Sequence, residues 1–225
     1  MISHEFKTLF IHVPKTAGQS MEQVFIDSSG YTWETREHLV LGFNPHPTMG
    51  PDRLSHLLAR EYAGLGYVSQ EQFDSYFKFS FVRNPWDRMV SQYYYRRSEK
   101  PFDVFVEEAF ADLDDRTDFS RHIIPQSDYL YDEDGRMLID FVGRYENIEA
   151  DFDKVMERVG LANKKLPRMN VSGMRGWRRL FGKEKPRPPF QDHYTPALRD
   201  RVGEFYRADI ENFDYAFEPP STQES

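Results

Sequence analysis

The chain has 225 residues, of which 39% are hydrophobic and 16% aromatic, enough to bury the core of one globular domain. Its formal charge of -8 argues against a binder of nucleic acid or anionic membranes, because such binding depends on clustered Lys and Arg with little opposing charge. With no cysteine and no apolar stretch near the ~20 residues of a membrane span, the chain is expected to be cytoplasmic, without disulfides or a membrane span. We expect one domain over residues 1–217 and a disordered tail at 218–225.

A first strand is predicted close to the N-terminus. Residues 9–13 form a short apolar run rich in strand formers, and a proline ends it. Small and polar residues follow at 15–20, after which Met21, Val24 and Phe25 recur at helical spacing. The predicted order is therefore strand, loop and helix.

The loop at residues 14–20 has the composition of an anion site. A phosphate bound at a strand-to-helix loop needs small residues, so that backbone N–H groups come close, a helix N-terminus and a cation. Ala17 and Gly18 keep the loop small, and Lys15 supplies the positive charge. The residues that add further N–H or hydroxyl groups are Thr16, Gln19 and Ser20. Considered alone, the stretch is equally consistent with an ordinary turn that carries a surface lysine.

The same loop differs from the Walker A motif. That motif places Lys after its second Gly and follows it with Ser or Thr to hold magnesium, whereas here Lys15 precedes the small residues and no GKS or GKT occurs. A P-loop-type phosphotransferase that uses a nucleotide is therefore the weaker alternative. A domain that binds the nucleotide or a partner without catalysis is a third.

A second strand and helix are predicted in the middle of the chain. Residues 77–82 form an apolar run, followed by Asn84 as an N-cap, Pro85 at the first helical position and Asp87 in the first turn. We therefore expect a helix over about residues 85–97.

A third unit follows, with an apolar run at 138–143 and an amphipathic helix at about 148–159. A last helix is predicted at 195–206. Three strand-then-helix units predict an α/β fold, a P-loop-like three-layer sandwich with a central, mainly parallel sheet flanked by helices on both faces.

A basic segment separates the last two predicted helices. Residues 164–187 carry nine Lys or Arg and one Glu, a net charge of +8, so the rest of the chain carries -16. Its glycines and prolines favour a long loop. The loop either closes over a bound anion, recruits an anionic substrate, or is simply solvated.

Two motifs, each after a predicted strand, resemble the donor-binding motifs of sulfotransferases. Residues 10–20, FIHVPKTAGQS, resemble the loop that binds the 5′-phosphosulfate. Residues 81–93, FVRNPWDRMVSQY, resemble the 3′-phosphate motif of the carbohydrate-type family, sulfotransferase family 2, in which the Arg before Asn-Pro and the Ser eight residues later bind that phosphate. Those positions are Arg83 and Ser91. Arg83 lies just before the predicted helix and Ser91 lies within its second turn, so both side chains can face one anion.

The resemblance implies the donor 3′-phosphoadenosine 5′-phosphosulfate and the product adenosine 3′,5′-bisphosphate. It also implies a hydroxylated acceptor, which is a carbohydrate or another metabolite. If the basic loop recruits the acceptor, that acceptor is acidic or already sulfated. Lys15 is then expected to stabilise the bridging oxygen as the S–O bond breaks. Because the sulfuryl group carries less negative charge than a phosphoryl group, no divalent metal is required. The Arg-Lys-Gly loop of small-molecule sulfotransferases is missing, so Ser172 or Arg175 is a candidate to complete the 3′-phosphate site.

An acceptor hydroxyl needs a general base, for which histidine is the usual choice at neutral pH. His46 is the first candidate, because relatives carry a histidine between the first helix and the second phosphate-binding strand. His122 and His193 are alternatives, whereas His12 is expected to be packed within the first strand. The pattern predicts no particular oligomeric state.

Overall fold

The computed structural model describes residues 1–46, 48–111, 113–114, 117–167 and 188–218 of the protein. Four strands form one sheet in the order β1-β2-β3-β4, with β2, β3 and β4 parallel and β1 antiparallel to β2 at the edge. The strands are β1 (Ile2–Ser3), β2 (Thr8–Ile11), β3 (Phe77–Val82) and β4 (Phe141–Arg144).

Helices connect and cover the strands. The α-helices are α1 (Gly18–Ser28), α2 (Ala59–Gly64), α3 (Gln70–Ser75), α4 (Pro85–Arg96), α5 (Phe102–Ala111), α6 (Asp118–Arg121), α7 (Ser127–Leu130), α8 (Ile148–Arg158), α9 (Pro196–Phe205) and α10 (Arg207–Phe213), and short 3-10 helices occupy Arg36–Leu39, Leu54–His56, Tyr145–Asn147 and Phe190–His193. In the part of the chain that the structure describes, every helix is too short or too polar to span a bilayer.

The sheet is buried on both faces, because successive side chains of a strand point to opposite sides. Leu9 and Ile11 pack on one face, in a cluster that includes Tyr62 of α2. Phe10 lies on the other face, with Phe25 of α1. A third apolar cluster joins α4, α5 and α9. The predicted α/β architecture, a mainly parallel sheet flanked by helices, is confirmed.

The predicted elements that position the candidate site are present. β3 spans the predicted residues 77–82, and α4 begins at the predicted Pro85. The third strand was expected from residue 138 but begins at Phe141, because Leu138 donates its N–H to the carbonyl of Leu130 in a separate turn. The two-residue edge strand β1 was not predicted.

Candidate functional site

The two motifs that resemble donor-binding motifs, residues 10–20 and 81–93, meet at the carboxyl ends of β2 and β3. These strands are parallel neighbours, so the loops that leave them start at the same edge of the sheet, where open α/β sheets bind ligands. A guanidinium N–H of Arg83, at Nη1, donates to the carbonyl oxygen of Lys15 at 3.1 Å. This hydrogen bond joins the loop after β2 directly to the segment after β3.

The loop after β2 has an unusual backbone. Lys15 and Ala17 both have positive φ, 73° and 68°, whereas Thr16 between them does not. Alternation of this kind turns successive N–H groups towards one side and creates a concave anion site. A left-handed conformation costs a non-glycine residue of order 1–3 kcal/mol and is typical of functional sites.

Helix α1 begins at this loop without a side-chain cap. Its N-cap residue is Ala17, whose methyl group accepts no hydrogen bond, and the first turn contains no acidic residue. The partial positive charge of the helix end is therefore not offset by the chain's own carboxylates. Backbone N–H groups in this position bind phosphate or sulfate readily.

Two predicted contributors to the loop have structural roles as well. The Thr16 hydroxyl is buried and donates to the carbonyl of Val13 at 2.7 Å, so only the backbone of Thr16 is left to contact an anion. Gly18 lies against the ring of His12, and a Cβ at residue 18 would stand 2.0 Å from that ring. Glycine is therefore required here by packing, in addition to the small size expected of the loop.

His12 is buried, as expected, and it anchors the loop. Its Nδ1–H donates to Oε1 of Glu22 in α1 at 2.6 Å, and both side chains are almost fully buried. Burial raises the pKa of the Glu22 carboxyl, but the charge of His12 and this hydrogen bond outweigh it and lower the pKa below the ordinary value. This buried pair ties the end of β2 to α1.

Helix α4, in contrast, is capped by its own chain. The Asn84 side chain accepts from the N–H groups of Trp86 and Asp87 at 3.1 and 3.4 Å, and Pro85 occupies the first turn. The Arg83 guanidinium lies outside this cap, with Nε donating to Asp87 at 2.7 Å.

Ser91 lies on the face of α4 that meets the loop after β2. Three residues before it, Arg88 donates to the carbonyl of Pro14 at 3.3 Å. Four residues after it, the ring of Tyr95 lies 3.9 Å beneath Nζ of Lys15. The Ser91 hydroxyl has no hydrogen-bond partner among the described residues. Lys15 and Arg83 are thus joined directly, and Ser91 lies on the helix face that contacts the same loop.

A buried network holds this arrangement rigid. The Gln126 side chain both accepts from the N–H of Arg83 at 2.9 Å and donates to its carbonyl at 2.8 Å. Asp209 of α10 accepts in turn from the N–H groups of Gln126 and Ser127, at 2.9 and 2.7 Å. Arg88 lies next to Asp209 and donates to the carbonyls of His122 and Ile124. The segment around Gln126 therefore fixes the backbone that carries Arg83.

A histidine cluster lies beside the loop. The rings of His12, His56 and His122 form this cluster, in which the His56 ring contacts the other two edge to face, with centroids 5.0 and 4.8 Å apart. His122 also stacks on Tyr95 at 5.4 Å, and the Lys15 ammonium lies over the same ring. The cluster therefore adjoins the lysine expected at the reacting end of the donor.

Each ring of this cluster is oriented by a hydrogen bond. Nδ1 of His56 donates to Oδ1 of Asp118 at 2.9 Å, and Nδ1 of His122 donates to Oε1 of Gln92 at 2.8 Å. Burial lowers the pKa of His56, and burial with the charges of His56 and Lys15 lowers the pKa of His122 well below its ordinary value. Burial therefore favours the neutral form of both rings.

The predicted histidines have different surroundings. His122 is in the cluster, whereas His193 contacts the Tyr94 hydroxyl at 3.2 Å. His46 is exposed, and its hydrogen bonds are local, to Asn44 and Met49. His56 was not among the candidates, although it satisfies the criterion used for His46, since it also lies between the first helix and β3. Ser172 and Arg175 lie outside the described residues, as does most of the basic segment 164–187.

Comparison with known proteins agrees with this geometry. The sulfotransferase family matches residues 1–216, nearly the whole chain. The chain belongs to the sulfotransferase family. An uncharacterized protein of Archaeoglobus fulgidus is 34% identical over 117 residues, which cover 51% of this chain and 92% of that protein. No solved structure matches the chain significantly. Family membership supports sulfuryl transfer to a hydroxylated acceptor as the general activity of this sulfotransferase.

Proposed function

We propose that the chain transfers the sulfuryl group of 3′-phosphoadenosine 5′-phosphosulfate to a hydroxyl of a carbohydrate or another hydroxylated metabolite in the cytoplasm. The observation that carries this proposal is the hydrogen bond from Arg83 to the carbonyl of Lys15. A donor with anionic groups on both the 3′ and 5′ positions of one ribose needs two anion sites side by side. The hydrogen bond joins the two loops that we propose hold these sites, which supports that arrangement.

The donor, when bound, supplies the sulfuryl group, and each end of it has a matching set of protein groups. The backbone N–H groups of residues 16–19 and the start of α1, which has no side-chain cap, suit the 5′-phosphosulfate, whereas the N–H of Ser20 donates to the carbonyl of Ala17. To the Lys15 ammonium, which lies over the Tyr95 ring, we assign the stabilisation of charge on the leaving oxygen. Nη2 of Arg83 and the Ser91 hydroxyl, which have no hydrogen-bond partner among the described residues, suit the 3′-phosphate.

His56 is the best-placed general base. Its Nδ1–H is held by Asp118, which leaves Nε2 as a bare acceptor, and Nε2 has no hydrogen-bond partner in the part of the chain described. A carboxylate that orients one nitrogen of a histidine so that the other accepts a proton is a recurrent catalytic arrangement. His46 remains the rival for this role.

Calorimetry tests the donor. We expect adenosine 3′,5′-bisphosphate to bind without a metal ion and more tightly than ATP with magnesium. A preference for ATP with magnesium would contradict the proposal and favour a P-loop phosphotransferase. Tight binding of the bisphosphate without transfer to any member of a broad acceptor panel would indicate a non-catalytic domain.

Screening acceptors with labelled donor then provides the assay for the residues. Lys15→Ala should reduce turnover by more than tenfold, about 1.4 kcal/mol of barrier, while Lys100→Ala, an exposed lysine, should have no effect. Single-turnover rates of His56→Ala and His46→Ala separate the two bases. We expect a loss of at least about 100-fold for His56→Ala with bisphosphate affinity retained, and a change below about twofold for His46→Ala. The reverse result would assign the base to His46.

A further inference from the structure

Two residues of the histidine cluster, His56 and His122, have with the adjacent Asp118 the arrangement of a metal site. One ligand atom from each of His56, Asp118 and His122 can be chosen so that all lie within 4.8 Å of one another. Nδ1 of His56 is 2.9 Å from Oδ1 of Asp118, and Nε2 of His122 is 3.9 Å from the same oxygen. In a tetrahedral zinc site with bonds of about 2.0–2.1 Å, ligand atoms stand about 3.3 Å apart, so small side-chain rotations suffice to bind an ion.

The three groups come from two segments that are held in place. Asp118 is the first residue of α6, and His122, four residues later, is its C-cap. The two side chains therefore lie on the same side of that helical turn. Nδ1 of His122 donates to Gln92 at 2.8 Å, which directs a bare Nε2 towards the cluster. A hydrogen bond that fixes the tautomer in this way is the usual support of a metal-binding histidine.

The surroundings select the type of ion. Two of the three ligands are imidazole nitrogens, which suit zinc, cobalt and nickel, whereas magnesium and calcium prefer oxygen ligands. Arg53 lies 3.7 Å from Oδ2 of Asp118, which leaves Oδ1 for the histidines, and the charge of Lys15 also reaches His122. The positive charges of Arg53 and Lys15 weaken the binding of any divalent metal ion. Magnesium and calcium, which bind imidazole poorly, are therefore not expected to be retained.

We propose that His56, Asp118 and His122 bind a divalent transition ion such as zinc, and that the bound ion inhibits sulfuryl transfer. Coordination through Nδ1 of His56 displaces the proton from that nitrogen, and the neutral ring then carries its proton on Nε2. A protonated Nε2 cannot accept the proton of the acceptor hydroxyl. The binding half of this inference is independent of the proposed function, whereas the inhibition half rests on it.

Cobalt(II) is the probe for binding. Titration of the metal-free protein with Co²⁺ should give visible absorption of a tetrahedral or five-coordinate site at one equivalent, reversed by zinc but not by magnesium. His122→Gln and Asp118→Asn should each weaken binding at least tenfold, with folding checked by near-ultraviolet circular dichroism. His38→Gln, an exposed histidine elsewhere, is the matched control and should bind like the parent protein.

Equal cobalt affinity in the parent and in both ligand variants would overturn the site. Zinc should also slow transfer by the parent protein at one equivalent, and a chelator should restore it. Binding at the cluster without inhibition would overturn the second half of the inference. If the parent protein shows no transfer with any acceptor but binds cobalt through these residues, the proposed function fails while the metal site stands.

Discussion

Helices α1 and α4 begin at the same edge of the sheet but in opposite ways. At α1 the N-cap is Ala17, in a left-handed conformation and with no side-chain acceptor. At α4 the Asn84 side chain accepts from two backbone N–H groups, and Asp87 stands in the first turn. The chain satisfies the start of α4 by itself and leaves the start of α1 without a cap.

If the proposed function holds, the two ends of the anionic donor are recognised by different means. The start of α1 can offer backbone N–H groups and the helix dipole, which favour any compact anion. At the start of α4 the N–H groups of Trp86 and Asp87 are already bonded to Asn84, and the Asp87 carboxylate offsets the dipole, so anion binding there depends on the side chains of Arg83 and Ser91. The first site is built into the backbone, and the second can be removed one side chain at a time.

The largest effect should follow from placing a negative charge at the N-cap position of α1. Ala17→Asp places a carboxylate where the 5′-phosphate is proposed to bind, and repulsion at about 4 Å should weaken adenosine 3′,5′-bisphosphate binding roughly a hundredfold, about 3 kcal/mol. Ala17→Asn, neutral and tolerant of positive φ, is the control and should lose far less. Calorimetry measures both, and equal losses would show that charge at this position is irrelevant.

At α4 a substitution of Arg83 should reduce nucleotide affinity only through the 3′-phosphate. Arg83→Gln removes charged hydrogen bonds worth about 1.5–3 kcal/mol and should weaken adenosine 3′,5′-bisphosphate at least tenfold. Adenosine 5′-monophosphate, which lacks the 3′-phosphate, should bind the variant and the parent protein alike. Arg136→Gln, whose side chain is 80% exposed, is the control. If the affinities for both nucleotides fall equally, Arg83 does not recognise the 3′-phosphate.

Removal of the α4 cap should affect stability and leave the donor site intact. Asn84→Ala deletes the acceptor for Trp86 and Asp87 and the donor to the carbonyl of Ala216, so the free energy of unfolding should fall by about 1–2 kcal/mol. Asn84→Ser, which keeps an acceptor, should lose less. Urea denaturation measures the change, and bisphosphate affinity of the folded variant should stay within about twofold.

A smaller and pH-dependent effect is expected at α8. The Asp151 carboxylate accepts from the N–H of Arg144 at 2.9 Å and from Lys154 at 2.8 Å. Burial raises the pKa of Asp151, but these hydrogen bonds outweigh it and lower the pKa. The contribution of the carboxylate to the free energy of unfolding is therefore fully present above its ordinary pKa near 3.9. It is lost as pH falls through the lowered pKa.

Asp151→Asn should therefore reduce the free energy of unfolding by about 0.5–1 kcal/mol at pH 7 and by much less at pH 3. Urea denaturation at pH 7, 5 and 3 provides the comparison. Asp153→Asn, on the exposed side of the same helix, should show little effect. A difference that does not shrink in acid would mean that the Asp151 charge is not responsible.

Much of the region around β3 and α4 could be predicted, because the signals there are local. An apolar run defines β3, and the adjacent Asn84 and Pro85 define the helix start, so both elements follow from neighbours in the chain. The third strand was placed three residues early, since Leu138 is apolar like a strand residue but bonds to Leu130. Apolar character alone does not distinguish these two roles.

Local composition predicted the anion loop, and the resemblance to the 3′-phosphate motif supplied Arg83 and Ser91; their roles remain proposals. The surroundings of the histidines, in contrast, depend on folding. His56 meets Asp118 from 62 residues away, and Gln126 meets Asp209 from 83. Hydrogen bonds of this range depend on how helices pack across the sheet, which no short window of residues encodes.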